Sequence, residues 1–263
     1  MDWSRIKTIF ILTFLVLDIY LVYQFMNTRS AAQYEIPKEA SLEEKLKNDD
    51  IRYETLPEVV KEQYISVKAK VFTDEDIRKA KGQAAILGEG TLLQVELEEP
   101  FTLSSSFKPS EVSPYVKGNI FSGEQYDFWK KDDEERTLTY YQKHKGKTFY
   151  YNNSAKLTLY FNEKNEVTSY QQTYLEVMDE ISEQEEVLPP LRALENLYKK
   201  GLLKPKSKIT KVELGYSTLV QLTASHVLTP TWRIVVDGKE NLFVHAFDGR
   251  VIPLTENETN LTE

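Results

Sequence analysis

Three histidines are the first side chains to weigh for chemistry, because imidazole serves as acid, base or metal ligand near neutral pH. His144 sits in KHKGK, which reads as an exposed basic loop, and His226 sits in the polar run TASHVLTP, which reads as another loop. His245 alternates with Phe243 and Phe247 in a strand pattern and reads as a satisfied core or interface histidine. No two histidines have metal-ligand spacing and H-E-x-x-H is absent. With no cysteine, neither a thiolate zinc site nor a disulfide framework is available. Ser217 in GYSTL lacks the second glycine of a nucleophile elbow and reads as an ordinary strand serine. The acidic run Asp132–Glu135 lacks the oxygen spacing and glycine of a calcium loop, so it reads as a solvated turn. No phosphate loop, dinucleotide fingerprint or basic patch is present, and no cofactor is expected. The chain carries 41 acidic against 33 basic residues, a formal net charge of −8, so it repels nucleic acid and other polyanions. One catalytic chemistry stays open. An anchored wall-modifying enzyme needs only two carboxylates about 5–10 Å apart in a deep cleft, and spacing along a chain does not reveal such a pair.

One carboxylate stands apart by its surroundings. Asp18 lies inside TIFILTFLVLDIYLVYQF, where the neighbours are leucine, isoleucine, valine and phenylalanine. The 21 residues from Ile6 to Met26 rise about 31 Å as a helix, enough to cross hydrocarbon. Thirteen of them are Ile, Leu, Phe or Val. Together these contribute on the order of −6 kcal/mol to insertion, against about +3 for one central aspartate. Insertion survives the charge. Ser30-Ala31-Ala32 could pass as a cleavage site, but the apolar stretch exceeds the roughly 7–15 residues of a secretory signal and favours an uncleaved anchor. Arg5, Lys7 and the short N-terminal stub favour a cytoplasmic N-terminus with the bulk of the chain exported. On a helical wheel Thr13, Tyr20 and Gln24 share one face, and Asp18 lies about 140° away. Intramembrane ionisable groups mostly face protein, which makes Asp18, Thr13, Tyr20 and Gln24 candidate contacts to partner helices.

The elements that follow set the expected organisation: a cytoplasmic stub at 1–7, a transmembrane helix at 8–26 and a linker at 27–40. A first exported α+β domain is expected at 41–180, and a second at 181–263 with a flexible C-terminal tail. SLEEKLKNDD predicts a short helix with Ser41 as N-cap and Glu44 closing a capping box. TDEDIRKAKG repeats that logic, with Thr73 as cap and Gly82 just past the end. TLLQVELEE alternates as a strand, KTFYYNN predicts another, and AKLTLYFNEKNEVTSYQQTYLEV folds back at Asn162–Asn165. In LPPLRALENLYKKGLL the prolines open a helix, Leu191, Leu194, Leu197 and Tyr198 form its apolar stripe, and Gly201 stops it. Strands follow at KITKVELGYSTL, TPTWRIVVD, NLFVHAF and RVIPL, with a two-residue hairpin signal at Asp248-Gly249. Helix-then-strands occurs twice, and KLTLYFNEKNEVTSY parallels ENLFVHAFDGRVIPL, a weak internal duplication of two modules. The last unit resembles the PepSY-type domain, a helix across a small antiparallel sheet, so the expected fold is α+β with two PepSY-like modules after the anchor.

The opening MDWSRIKTIFILTFLVLDIYLVYQF and the ending PTWRIVVDGKENLFVHAFDGRVIPL together resemble the YycI (WalI) family of membrane-anchored regulators. Of the two, the anchor segment is the more distinctive. The resemblance implies a non-catalytic regulator of the sensor histidine kinase WalK (YycG) in the cell-wall-controlling WalK–WalR system. It further implies action together with YycH, with contacts through the membrane helices and with membrane lipid around them. Beside the regulator and the carboxylate-pair enzyme, a third reading is a ligand-sensing module in a cleft between the two exported units.

Overall fold

The computed structural model describes residues 3–31, 41–221 and 225–254. It is mixed α+β, with one N-terminal apolar helix and several antiparallel sheets. Contacts divide the chain into two compact units, Met1–Asn48 and Asp49–Glu263.

The first unit holds helix α1 (Trp3–Ala31) and helix α2 (Leu42–Asn48). The stretch Ile6–Met26 within α1 is long and apolar enough to cross a membrane, and none of it is buried. The helix continues five residues into the expected linker, whose remainder (32–40) lies outside the described residues. At α2 the predicted capping box is in place. The Ser41 N–H donates to Glu44 Oε2 at 3.1 Å, and the Glu44 N–H donates to Ser41 Oγ at 3.2 Å, satisfying two donors that a helix start leaves bare.

The second unit opens with strands β1 (Arg52–Tyr53), β2 (Lys61–Glu62) and β3 (Ile65–Ala69), then helix α3 (Asp74–Lys79). Next come β4 (Gly82–Leu87), β5 (Leu92–Thr102), helix α4 (Pro109–Asn119), β6 (Tyr126–Asp132), β7 (Thr137–His144), β8 (Lys147–Thr148), β9 (Lys156–Phe161) and β10 (Glu166–Gln172). The chain ends with β11 (Leu175–Glu180), β12 (Glu185–Glu186), helix α5 (Pro190–Lys199), β13 (Lys208–Gln221), β14 (His226–Val236), β15 (Glu240–His245) and β16 (Val251–Ile252).

Two antiparallel-rich sheets organise these strands. One runs β4-β5-β10-β9-β7-β6, with β8 on β7. Val112 and Val116 of α4 join Leu93, Val95, Leu138, Leu157 and Leu159 in the core on its face. The other runs β1-β13-β14-β15-β16, with β3 on β14 and β11 on β3. α5 buries Ala193, Leu194 and Leu197, while Leu191 and Tyr198 of the expected stripe are half-buried. Gly201 takes φ +69° just beyond that helix, a conformation open to glycine at little cost.

The boundary expected at 180/181 runs through a shared sheet. β14 is 11 residues long, and β15 covers only Thr231–Val236 of its edge. β3, from far earlier in the chain, pairs with His226, Val227 and Leu228 along the rest. Backbone donors and acceptors left open there would lose their partners on burial, so a strand from the first half completes the second half's sheet.

Several local expectations need correction. α4 is absent from the sequence reading because Pro114 sits inside it, removing one helical N–H and crowding the carbonyl four residues back. Of KTFYYNN only Lys147–Thr148 is strand, and Phe149 and Tyr150 turn inward and are fully buried. Gly82 does not cap α3, which ends at Lys79; it opens β4, where a Cβ would stand 2.0 Å from the Glu96 carbonyl oxygen. The Asp248-Gly249 turn is wider than two residues, since the ladder closes at His245 and Arg250 (N···O 2.8 Å). The Asn162–Asn165 turn is as expected, with the Asn162 side chain accepting from the N–H groups of Lys164 (2.8 Å) and Glu166 (3.0 Å).

Candidate functional site

The four candidate residues of the anchor all lie on one uninterrupted helix, so the angular separation of Asp18 from the other three carries over. Thr13 is partly spent within the helix: its hydroxyl donates to the Ile9 carbonyl at 2.9 Å, the back-bonding expected of a helical threonine in an apolar setting. Asp18 and Gln24 are exposed and make no side-chain hydrogen bond among the described residues, and Tyr20 is 58% exposed. What this arrangement offers is exposed polar side chains, those of Asp18 and Gln24 without a hydrogen bond among the described residues, on a helix long and apolar enough to cross a membrane.

In the second unit all three histidines lie on strands. His245 is buried on β15, with Nε2 2.9 Å from Thr229 Oγ1 and Nδ1 3.1 Å from Asp248 Oδ1. His226 is not in a loop. It opens β14 and is half-buried. His144 is likewise half-buried at the end of β7, not in an exposed loop. Burial pushes all three below the ordinary imidazole value. Lys145 adds to the shift at His144 while Glu180 opposes it, and Asp248 opposes it at His245.

The sign of the resulting pH dependence follows from linkage. A depressed folded-state pKa on a base means the unfolded chain takes up protons first as pH falls through about 6.5. The stability these neutral histidines contribute is whole above that pH and is lost below it. The denaturation midpoint is expected to drop between about pH 7.5 and 5.5, and His245→Gln, which cannot charge, should flatten part of that slope. An unchanged slope in the variant would mean that His245 is not among the groups responsible.

Ser217 is buried on β13 and shares a hydrogen bond with Thr231 Oγ1 at 2.7 Å, and no histidine or carboxylate is hydrogen-bonded to it among the described residues. The glycine of the same GYSTL run serves packing, since a Cβ on Gly215 would stand 2.5 Å from both the Tyr150 ring and the Thr148 carbonyl oxygen. Asp132 closes the acidic turn as expected, accepting from the N–H groups of Glu134 (3.1 Å) and Glu135 (3.0 Å). Among the described residues no group of three or more His, Cys, Asp or Glu is placed to hold a metal ion.

The structure does bring together one polar cluster with no signature in the chain. A cleft of about 170 Å³ collects Glu62, His144, Lys145, Lys147, Glu180 and Tyr216. Glu62 takes Lys147 Nζ at 2.8 Å and the Tyr216 hydroxyl at 2.9 Å, and Glu180 takes Lys145 Nζ at 2.8 Å. The lysine beside Glu180 holds its carboxyl below the usual range, the reverse of the raised value a general acid needs. The cluster suits a charge network between segments more than proton donation. Its members come from four distant stretches, and no spacing along the chain links them.

A search of curated proteins finds no match. Among solved structures, the chain is similar to an uncharacterized protein from Eubacterium rectale ATCC 33656, solved by crystallography at 1.45 Å. The two share 11% identity over 79% of this chain and 92% of that one, with a TM-score of 0.47. The family model described as YycI protein matches residues 31–247. That range begins after the apolar span, so the match is carried by the part of the chain beyond the anchor. Covering most of the sequence, it shows that the chain belongs to the YycI family.

Proposed function

We propose that this chain is a single-pass, non-catalytic regulator of the sensor histidine kinase WalK (YycG), acting together with YycH through transmembrane and extracytoplasmic contacts. The observation that carries this reading is membership of a regulatory family tied to the WalK two-component system, joined to one N-terminal apolar helix suited to membrane anchoring. The N-terminus is placed in the cytoplasm and the two helix-on-sheet halves, PepSY-like in outline, outside. Asp18, Tyr20, Gln24 and, to a lesser degree, Thr13 are assigned to partner helices. Lys145, paired with Glu180 in the polar cleft, holds that carboxyl below the usual range, which disfavours Glu180 as the acid of a wall-modifying enzyme, whose acid must hold its proton near neutral pH.

The test is co-purification with WalK and with YycH from membranes at matched expression. Wild type is expected to retain both. Asp18→Leu should insert more readily, by about 3 kcal/mol, yet weaken association by about 1–2 kcal/mol for one lost intramembrane hydrogen bond. Asp18→Asn should be milder, because an amide still bonds without a charge. If wild type captures neither protein, the regulatory reading fails. If Asp18→Leu captures both as well as wild type, the carboxylate is a tolerated passenger.

A further inference from the structure

Sheet edges expose unpaired N–H and C=O groups, and proteins guard them with charge, proline, bulges or brevity. Nearly every open edge among the described strands is guarded in this way. β1 and β16 are two residues each. β6 carries Asp127, Lys130, Lys131 and Asp132 and a bulge after Phe128. β11 carries Glu176, Asp179 and Glu180 and a bulge after Val177. β13 carries Lys211 and Glu213, is irregular at two points of its ladder with β14, and is covered on its other side by a bridge from Phe149 to Tyr216.

β4 is the exception. Its sequence GQAAIL has no charge and no proline, and its register with β5 is unbroken from Gly82↔Leu97 to Leu87↔Leu92. Gln83 and Ala85 are exposed, and Leu87 is 44% exposed. At the start of this strand lies the mouth of a groove of about 830 Å³, lined by Leu97, Phe101 and Tyr115 and bearing Glu98, Glu99 and Glu111. Lys81 is the single base lining it. Glu98 and Glu99 are exposed and take part in no ion pair among the described residues, while Glu111 accepts from Ser104 Oγ at 2.7 Å.

We propose that β4 and this groove form one docking surface for an extended segment of a partner protein, which adds as a strand and carries lysine or arginine where it passes Gly82. The neutral strand supplies backbone pairing without sequence demand, and the carboxylates select a basic segment. A second copy of this chain fits less well. In a two-fold antiparallel pairing across Gly82–Leu87, the copy's Glu89 would approach the same acidic groove. The proposal does not depend on the identity of the kinase or of YycH.

The experiment uses the full-length chain in nanodiscs of neutral phosphatidylcholine, titrated into a labelled peptide of alternating valine and lysine. A valine–glutamate peptide is the comparison, read by fluorescence anisotropy. The lysine peptide is expected to bind and the glutamate peptide not. Glu98→Lys with Glu99→Lys should weaken lysine-peptide binding about tenfold and create affinity for the glutamate peptide. Ala85→Lys, on the exposed side of the edge, should weaken lysine-peptide binding comparably, whereas Glu134→Gln with Glu135→Gln, in the remote acidic turn, should leave it unchanged. No binding of the lysine peptide, or equal loss in the remote variant, overturns the proposal. Because the chain has no cysteine, Ala85→Cys adds an independent check: a disulfide-linked homodimer in the membrane would assign the edge to self-pairing and overturn it too.

Discussion

A chimera in which residues 8–26 are replaced by leucines is expected to reach the membrane in full and to lose control of the kinase. Leucine inserts at about −0.5 kcal/mol per residue, and the exchange removes the cost of about 3 kcal/mol carried by Asp18. Anchoring therefore improves while every polar group of the span disappears. The expected loss is the whole regulatory effect, since helices in lipid associate through close packing and hydrogen bonds, and hydrophobic burial does not distinguish one apolar surface from another. The readout is expression of genes controlled by WalR in cells that carry the chimera at wild-type membrane levels. Normal regulation by the chimera would reduce α1 to a tether and shift all recognition to the second unit. Restoring Asp18 alone on the leucine background separates the two faces, because only contacts on its own side should return.

The second large effect concerns stability. Trp232 on β14 is 1% exposed, and its Nε1 donates to the Leu188 carbonyl at 2.8 Å, just ahead of α5. It ties the sheet to the segment that delivers its covering helix. Trp232→Ala is expected to cost about 3–5 kcal/mol by loss of buried area and creation of a cavity. That is a large share of the roughly 5–15 kcal/mol by which a domain is stable. Trp232→Phe should cost less, keeping most of the ring while leaving the Leu188 carbonyl without its donor. Urea unfolding followed by circular dichroism measures both, and a shift of the midpoint at constant slope identifies a pure stability change. A cost below about 1 kcal/mol for the alanine variant would show that the pocket collapses around the gap.

A related contact holds the two sheets against each other. Arg233 lies 4.0 Å over the Trp129 ring and pairs with Glu213 at 2.5 Å, while Tyr150 and Tyr151 meet Phe243 at 5.2 and 5.4 Å. These groups come from β6, the turn after β8, and β13–β15. None of the spacings between them is periodic. They meet because the inner faces of two sheets bury together, with Gly215 leaving room for Tyr150.

Whatever a dozen or two neighbouring residues settle among themselves was legible along the chain. The apolar span, the capping boxes at Ser41 and Thr73, the Asn162–Asn165 turn and the stripe of α5 all belong here, because their hydrogen bonds and faces close locally. Tertiary structure decided the rest. β7 escaped the alternation test because five consecutive residues, Leu138–Gln142, are buried on both faces, which erases the period of two. α4 tolerates Pro114 because Val112 and Val116 gain a core that no local signal announces. β3 finds β14 across more than a hundred and fifty residues, Val67 beside His226, and so joins strands from both sides of residue 180 in one sheet. Glu62 gathers Lys147 and Tyr216, and Glu180 gathers Lys145, on the same terms. Pairings of this kind depend on which surfaces lose water together, and that is a property of the whole fold.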